Sequence, residues 1–131
     1  MHFFKVDEFR HVNLGLLERI VIGEMGLITF VDEYDEQIVI QVEPPAVKDI
    51  VSRLLNFRML KNKYAFFMTV NKERLFIEKK KIKAIVAVNK IGAGMDPNES
   101  YSNIHHHNSV YTVIGSVEES MEKVTKHDLT T

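Results

Sequence analysis

Gly26-Leu27-Ile28-Thr29-Phe30-Val31 and Gln37-Ile38-Val39-Ile40-Gln41-Val42 are two β-rich runs separated by Asp32-Glu33-Tyr34-Asp35-Glu36. In the second run Ile38, Ile40 and Val42 alternate with Gln37 and Gln41, the period of two that a half-buried strand requires. The acidic stretch reads as a solvated hairpin turn. A hairpin joined by so short a connection is antiparallel, and this decides the architecture in favour of antiparallel sheet.

The pattern changes on either side of this hairpin. Pro44-Pro45 stops the strand and can seat the first turn of a helix, because proline lacks an N–H that would be orphaned there anyway. Val47, Ile50, Val51, Leu54 and Phe57 then recur at helical spacing, predicting a helix over 45–59 with Lys48, Ser52, Arg53 and Asn56 on its polar side. From Tyr64 the period returns to two. Residues 64–70 and 74–77 flank Asn71-Lys72-Glu73, a second hairpin. Ile82 to Val88 follows, and because Ala84 to Val88 is apolar at every position it reads as a central strand covered on both faces. Residues 91–109 read as one long irregular loop containing Gly92-Ala93-Gly94, and Val110 to Gly115 as a last strand. Ser116-Val117-Glu118-Glu119 has the form of a capping box, opening a helix whose buried stripe would be Val117, Met121 and Val124. The tail 127–131 is expected to fray. Upstream, Phe9, Val12, Leu16 and Ile20 fit an amphipathic helix over 6–21, with Gly15 and the run 18–22 arguing for a strand instead.

The expected fold is therefore a single α+β domain over residues 1–131, a mainly antiparallel sheet of about five or six strands with two or three helices. In outline the order of elements resembles the small, partly open barrels of PUA-like and Sm-like modules. No motif specific to either is present.

Charge is segregated along the chain. Residues 45–91 hold twelve Lys and Arg against three acids, a local +9, while residues 1–44 and 92–131 stand at −6 and −4. Such asymmetry speaks of partners rather than fold. The expected function is non-enzymatic binding, with nucleic acid (RNA or single strands before duplex DNA) as first partner. The phosphate-contacting residues would be Arg53, Arg58, Lys61, Lys63, Lys72, Arg74, Lys79, Lys80, Lys81 and Lys83. Tyr64, Phe66 and Tyr101 are the candidate stacking surfaces. An acidic protein surface or a second copy of the chain is the alternative partner, through complementary charge or a free sheet edge.

His105, His106 and His107 suggest another site. In extended chain His105 and His107 point the same way and could share a metal ion, with Asp96, Glu99, His127, His11 or His2 completing the set. The same loop is the alternative seat for a small ligand.

Other classes find little support. The chain has no cysteine, which excludes disulfides, thiolate metal sites and cysteine nucleophiles. Gly92-Ala93-Gly94 lacks the Gly-Lys-Ser/Thr that completes a P-loop. Asp32, Glu33, Asp35, Glu36 and Glu43 sit in a wet turn and the strand end after it, where nothing would split their acidities for acid–base work. No cofactor is expected. Charge breaks the first eight residues before a signal-peptide core could form, and no apolar run reaches the about 20 residues of a membrane span. A cytoplasmic protein that does not enter the membrane is the resulting expectation.

Overall fold

The computed structural model describes residues 2–57, 60–90, 92 and 94–125, the side chain of Lys61 excepted. Arg58 and the tail 127–131 lie outside the described residues. Among the described residues, ten strands form three antiparallel sheets. The largest, in the order β5-β4-β3-β7-β6, contains β3 (Leu17–Ile22), β4 (Leu27–Asp32), β5 (Gln37–Gln41), β6 (Tyr64–Met68) and β7 (Arg74–Glu78). The second, β10-β9-β8, is built from β8 (Ile82–Ala87), β9 (Tyr101–His106) and β10 (Ser109–Ile114). A two-stranded ribbon of β1 (Phe3–Asp7) and β2 (Arg10–Asn13) completes them. The α+β class and the antiparallel pairing hold. The strands exceed the expected number, and the sheets do not close into a barrel.

The five-stranded sheet divides the interior in two. On one face Ile20, Ile22, Ile28, Phe30, Ile40 and Phe76 meet Phe4, Val6 and Val12 of the ribbon. Val47, Ile50 and Leu54 of helix α1 (Val47–Leu55) and Leu60 of the short helix α2 (Leu60–Lys63) close the same core. On the other face Ala65, Phe67, Leu75 and Ile77 pack against Ile104 and Val113 of the three-stranded sheet. Each large side chain buried this way contributes about 1.5–3 kcal/mol relative to exposure. The second sheet reaches the first through β10 and β6, where Thr69 bridges Val113. It therefore covers the β6–β7 half, and leaves Leu27 and Val39, at the β5 margin, exposed.

Both hairpins form where the alternation predicts them. Asp35 and Lys72 take the left-handed conformation at their turns. The capping box is present too: the Glu119 N–H donates to Ser116 Oγ at 3.1 Å, and the Ser116 N–H to Glu119 Oε1 at 3.0 Å. It opens helix α3 (Val117–Thr125), whose most buried residue is Ser120, whereas Met121 is exposed.

Three expectations are corrected. Residues 6–21 form strands and a 3-10 turn rather than a helix, and the supposed stripe is split: Val12 and Ile20 are buried, but Phe9 is 88% exposed and Leu16 is also exposed. Local side chains compete with the helix there. Asp7 Oδ1 accepts the Phe9 N–H, and Asn13 Oδ1 the Gly15 N–H. The second correction concerns β8, which is an edge strand with Ala84, Val86 and Ala87 exposed, not a central one. Third, the loop 91–109 is shorter than expected, because β9 occupies 101–106 and turns straight into β10 through His107 and Asn108.

Candidate functional site

The predicted cations do not gather on one face. Arg53, on α1, is folded back onto the ribbon. It pairs with Asp49 at 2.9 Å, donates to the carbonyls of Lys5 and Val6, and lies 5.1 Å from the Phe4 ring centroid. Lys72 and Arg74 stand at the β6–β7 turn, while Lys79, Lys80 and Lys81 form a 3-10 turn at the far end of β7. At about 3.3 Å per residue, β7 holds the two groups some 15 Å apart. Lys80 and Lys83 are exposed, and burial lowers the Lys79 ammonium below the usual lysine range.

Lys81 and His107 do come together around a residue the sequence reading passed over, with Lys63 lining the same cleft. Glu18 of β3 is 1% exposed, and its carboxylate meets Lys81 Nζ at 3.2 Å, Arg19 Nη1 at 3.2 Å and His107 Nδ1 at 2.7 Å. Neighbours on a strand ordinarily face opposite ways. Here an irregularity between Leu17 and Arg19 in the β3–β4 pairing turns Glu18 and Arg19 to one side. Arg19 Nη2 reaches Asp35 at 3.4 Å, and Lys63 Nζ reaches Glu78 at 3.4 Å and the Gly15 carbonyl at 3.1 Å. A polar cleft of about 140 Å³ opens over Glu18, Glu33, Lys63, Glu78 and Lys81. The signal in the sequence was Glu18-Arg19 set within the apolar run 17–22.

A metal reading needs donors in excess of local positive charge. Glu18, Asp35 and His107 do offer ligand atoms within 4.8 Å of one another. The same carboxylates already neutralise Arg19 and Lys81, so a divalent ion would enter a set of donors that two cations occupy. His105 is not part of the cluster: it lies half-buried on β9, opposite Val110 and Ala84. His107 takes φ 48°, which breaks the extended alternation on which a shared His105–His107 ion depended. His106 is the interior one of the three, with Nε2 2.9 Å from the Glu78 carbonyl, and burial lowers its basicity below that of free imidazole.

The aromatic candidates are turned inward. Tyr64 is fully buried, its hydroxyl donating to the Leu14 and Leu17 carbonyls, and burial pushes its ionisation up. Tyr101 is buried, and its hydroxyl accepts the Asp96 N–H at 2.8 Å. Phe66 is half-buried beside Phe76, with ring centroids 4.9 Å apart.

The free edge of β5 has the opposite character. Gln37 to Gln41 carries no charge, and Ile38 and Val39, on opposite faces of the strand, are 52% and 53% exposed. The Val42 N–H donates to the Gly26 carbonyl, and the Glu36 carbonyl accepts the Asp32 N–H. Backbone direction alternates along a strand, so residues 36, 38, 40 and 42 bond to β4 while Gln37, Val39 and Gln41 turn their N–H and C=O groups outward. Arg10 Nη2 approaches the Gln41 carbonyl at 3.4 Å from the side of the ribbon. Beside the strand an apolar groove of about 180 Å³ runs between Val12, Leu16, Phe30 and Ile38. Compared with known proteins, the chain matches no family model, no curated protein and no solved structure.

Proposed function

We propose that the protein is a non-catalytic protein-interaction module that binds by adding a strand to the free edge of β5. One observation carries this reading: an uncharged strand whose outward amides and carbonyls have no strand partner among the described residues, and which is exposed on both faces, at Ile38 and Val39. Sheet edges of this kind recruit extended chain through main-chain hydrogen bonds, and neighbouring apolar pockets select side chains. The groove along Leu16 and Ile38 supplies such a pocket. The test is amide exchange while a short peptide of alternating valine and threonine, with lysine at each end, is titrated in. The Gln37, Val39 and Gln41 amides should slow together. Unchanged exchange at all three, with the peptide and with rising protein concentration alike, would overturn the reading.

Polyanion contact is a second reading, drawing on Lys80 and Lys83, which are exposed three positions apart on the turn before β8 and within β8. It predicts affinity for single-stranded RNA whose logarithm falls with log salt at a slope of roughly −1.4 to −2.8, as for two to four neutralised phosphates. A slope near zero would remove it.

A further inference from the structure

The partner for which β5 is best matched is a second copy of β5. Its residues Gln37-Ile38-Val39-Ile40-Gln41 read the same in both directions. A strand with that property, laid antiparallel on itself about a two-fold axis through Val39, sets Val39 against Val39, Ile38 against Ile40 and Gln37 against Gln41. The outward-facing residues are Gln37, Val39 and Gln41. In this register they become the hydrogen-bonded pairs, so every outward N–H and C=O of the strand finds a partner in the other copy. A shift by one residue would set outward-facing residues against inward-facing ones and leave the edge unsatisfied. We infer that the chain forms an isologous dimer through β5, joining two five-stranded sheets into one continuous sheet; the inference rests on the edge-binding reading above.

Charge agrees with the register. Arg10, whose guanidinium approaches the Gln41 carbonyl, belongs to the ribbon and so lies on the face of the sheet that carries Ile38 and Ile40. Across the two-fold, Gln41 meets Gln37, and the next residue outward is Glu36, exposed and of the same parity as Ile38. Each Arg10 is thereby brought to the Glu36 of the other copy, twice per dimer. Arg10 is held at present by Asp7, so it exchanges or shares a carboxylate rather than entering the interface unpaired. A five-residue strand is short against the about 1,200 Å² of a stable interface. The dimer is accordingly weak and concentration-dependent.

The chain has no cysteine, which makes the register directly testable. Hydrogen-bonded residues across an antiparallel pair have Cα atoms about 5.5 Å apart, within the range a disulfide spans. Val39→Cys should give a disulfide-linked dimer under mild oxidation at least about tenfold faster than Leu27→Cys, an exposed neighbour off the two-fold. Val39→Pro deletes an outward N–H without touching the β4 ladder. It should keep the native circular dichroism spectrum and lose the dimer seen by sedimentation equilibrium. Equal cross-linking of the two cysteine variants, or a sedimentation run with unsubstituted protein showing monomer up to millimolar concentration, would overturn self-pairing. Slowed β5 amides with the valine–threonine peptide in such a monomer would still sustain edge binding. Failure of the peptide as well would remove both.

Discussion

Two edge strands of this molecule, β5 and β8, treat the same problem in opposite ways. Each ends a sheet with one row of backbone groups unpaired, which is an invitation to further strands. On β8 the invitation is blocked. Lys79, Lys80 and Lys81 precede it, Lys83 stands within it, and its pairing to β9 is irregular between Ile82 and Ala84. Cationic residues and a local bulge are established means of keeping one edge from pairing with another. On β5 none of these devices appears: five uncharged residues run without a bulge along β4. The difference teaches that the lysine-rich segment has a structural use beyond any ligand. It guards one edge, and its absence from the other marks β5 as the place where association is permitted.

The largest effect on this contrast should come from Glu18, which anchors the base of β8 through Lys81. Glu18→Gln leaves Arg19 buried beside a neutral amide and releases Lys81 from its nearest carboxylate. Breaking one partner of a buried ion pair costs about 3–5 kcal/mol. Because Lys81 and His107 are part-exposed, the lower end, about 3 kcal/mol, is expected from the urea midpoint. A loss below about 1 kcal/mol would mean that water already solvates the cluster, and that β8 is held by packing alone.

Next in size is a pH effect at the same end of β8, where His106 pairs with Ile82. Burial is the main cause lowering its basicity. Arg19 adds to it, while the Glu78 carbonyl contact and the charges of Glu18 and Glu78 oppose it. The folded protein thus binds a proton at this site less readily than the unfolded chain does. Its stability is full above the ordinary imidazole range and is lost as pH falls through it. Unfolding free energy should fall between about pH 7.5 and 5.5, and His106→Gln should flatten that slope. A profile unchanged by the substitution would assign the pH dependence elsewhere.

A smaller change is expected at α3, which packs against β6, β8 and β9. Ser116→Ala removes the capping hydroxyl and should cost about 1 kcal/mol, read as a lower melting temperature. Faster exchange should follow in α3 before it appears in β5. Simultaneous loosening of both would show that α3 supports the whole sandwich rather than the β8 sheet.

What could be read from the residues alone follows from the range of the interactions involved. Both central hairpins, α1 and the Ser116–Glu119 cap are settled by neighbours within a few positions, and all were legible. The state of residues 6–21 was not, since Phe9 and Leu16 satisfy a helical pattern yet remain exposed in the fold. Nor was the position of β8, because Ala84, Val86 and Ala87 look the same in sequence whether a sheet continues past them or stops. The site suffered most. Lys63, Lys81 and His107 are separated widely in the chain; strand pairing sets His107 beside Lys81, and the bulge in β3 turns Glu18 toward them. The cations counted as one patch in sequence lie at both ends of β7 and on α1; Lys81 is neutralised by Glu18 and Glu33 of the acidic first third, while Arg53 and Lys63 pair with Asp49 and Glu78 of the basic segment itself.

The smallest effects on stability, and the sharpest on association, should come from exchanging the two edges. Val39→Lys gives β5 the charge that β8 carries; on an exposed position it should change unfolding free energy by no more than about 0.5 kcal/mol. Two such lysines would face each other across the two-fold, so the dimer should be lost while the monomer is unaffected. The reverse substitution, Lys83→Val, removes one guard but leaves the bulge and Lys80 in place, and should raise self-association only slightly. The pair of variants separates two explanations of the contrast. If Lys83→Val alone makes β8 as adhesive as β5, charge is what distinguishes the edges; if it does not, the irregular backbone between Ile82 and Ala84 is the stronger barrier, because a partner strand cannot keep register across it.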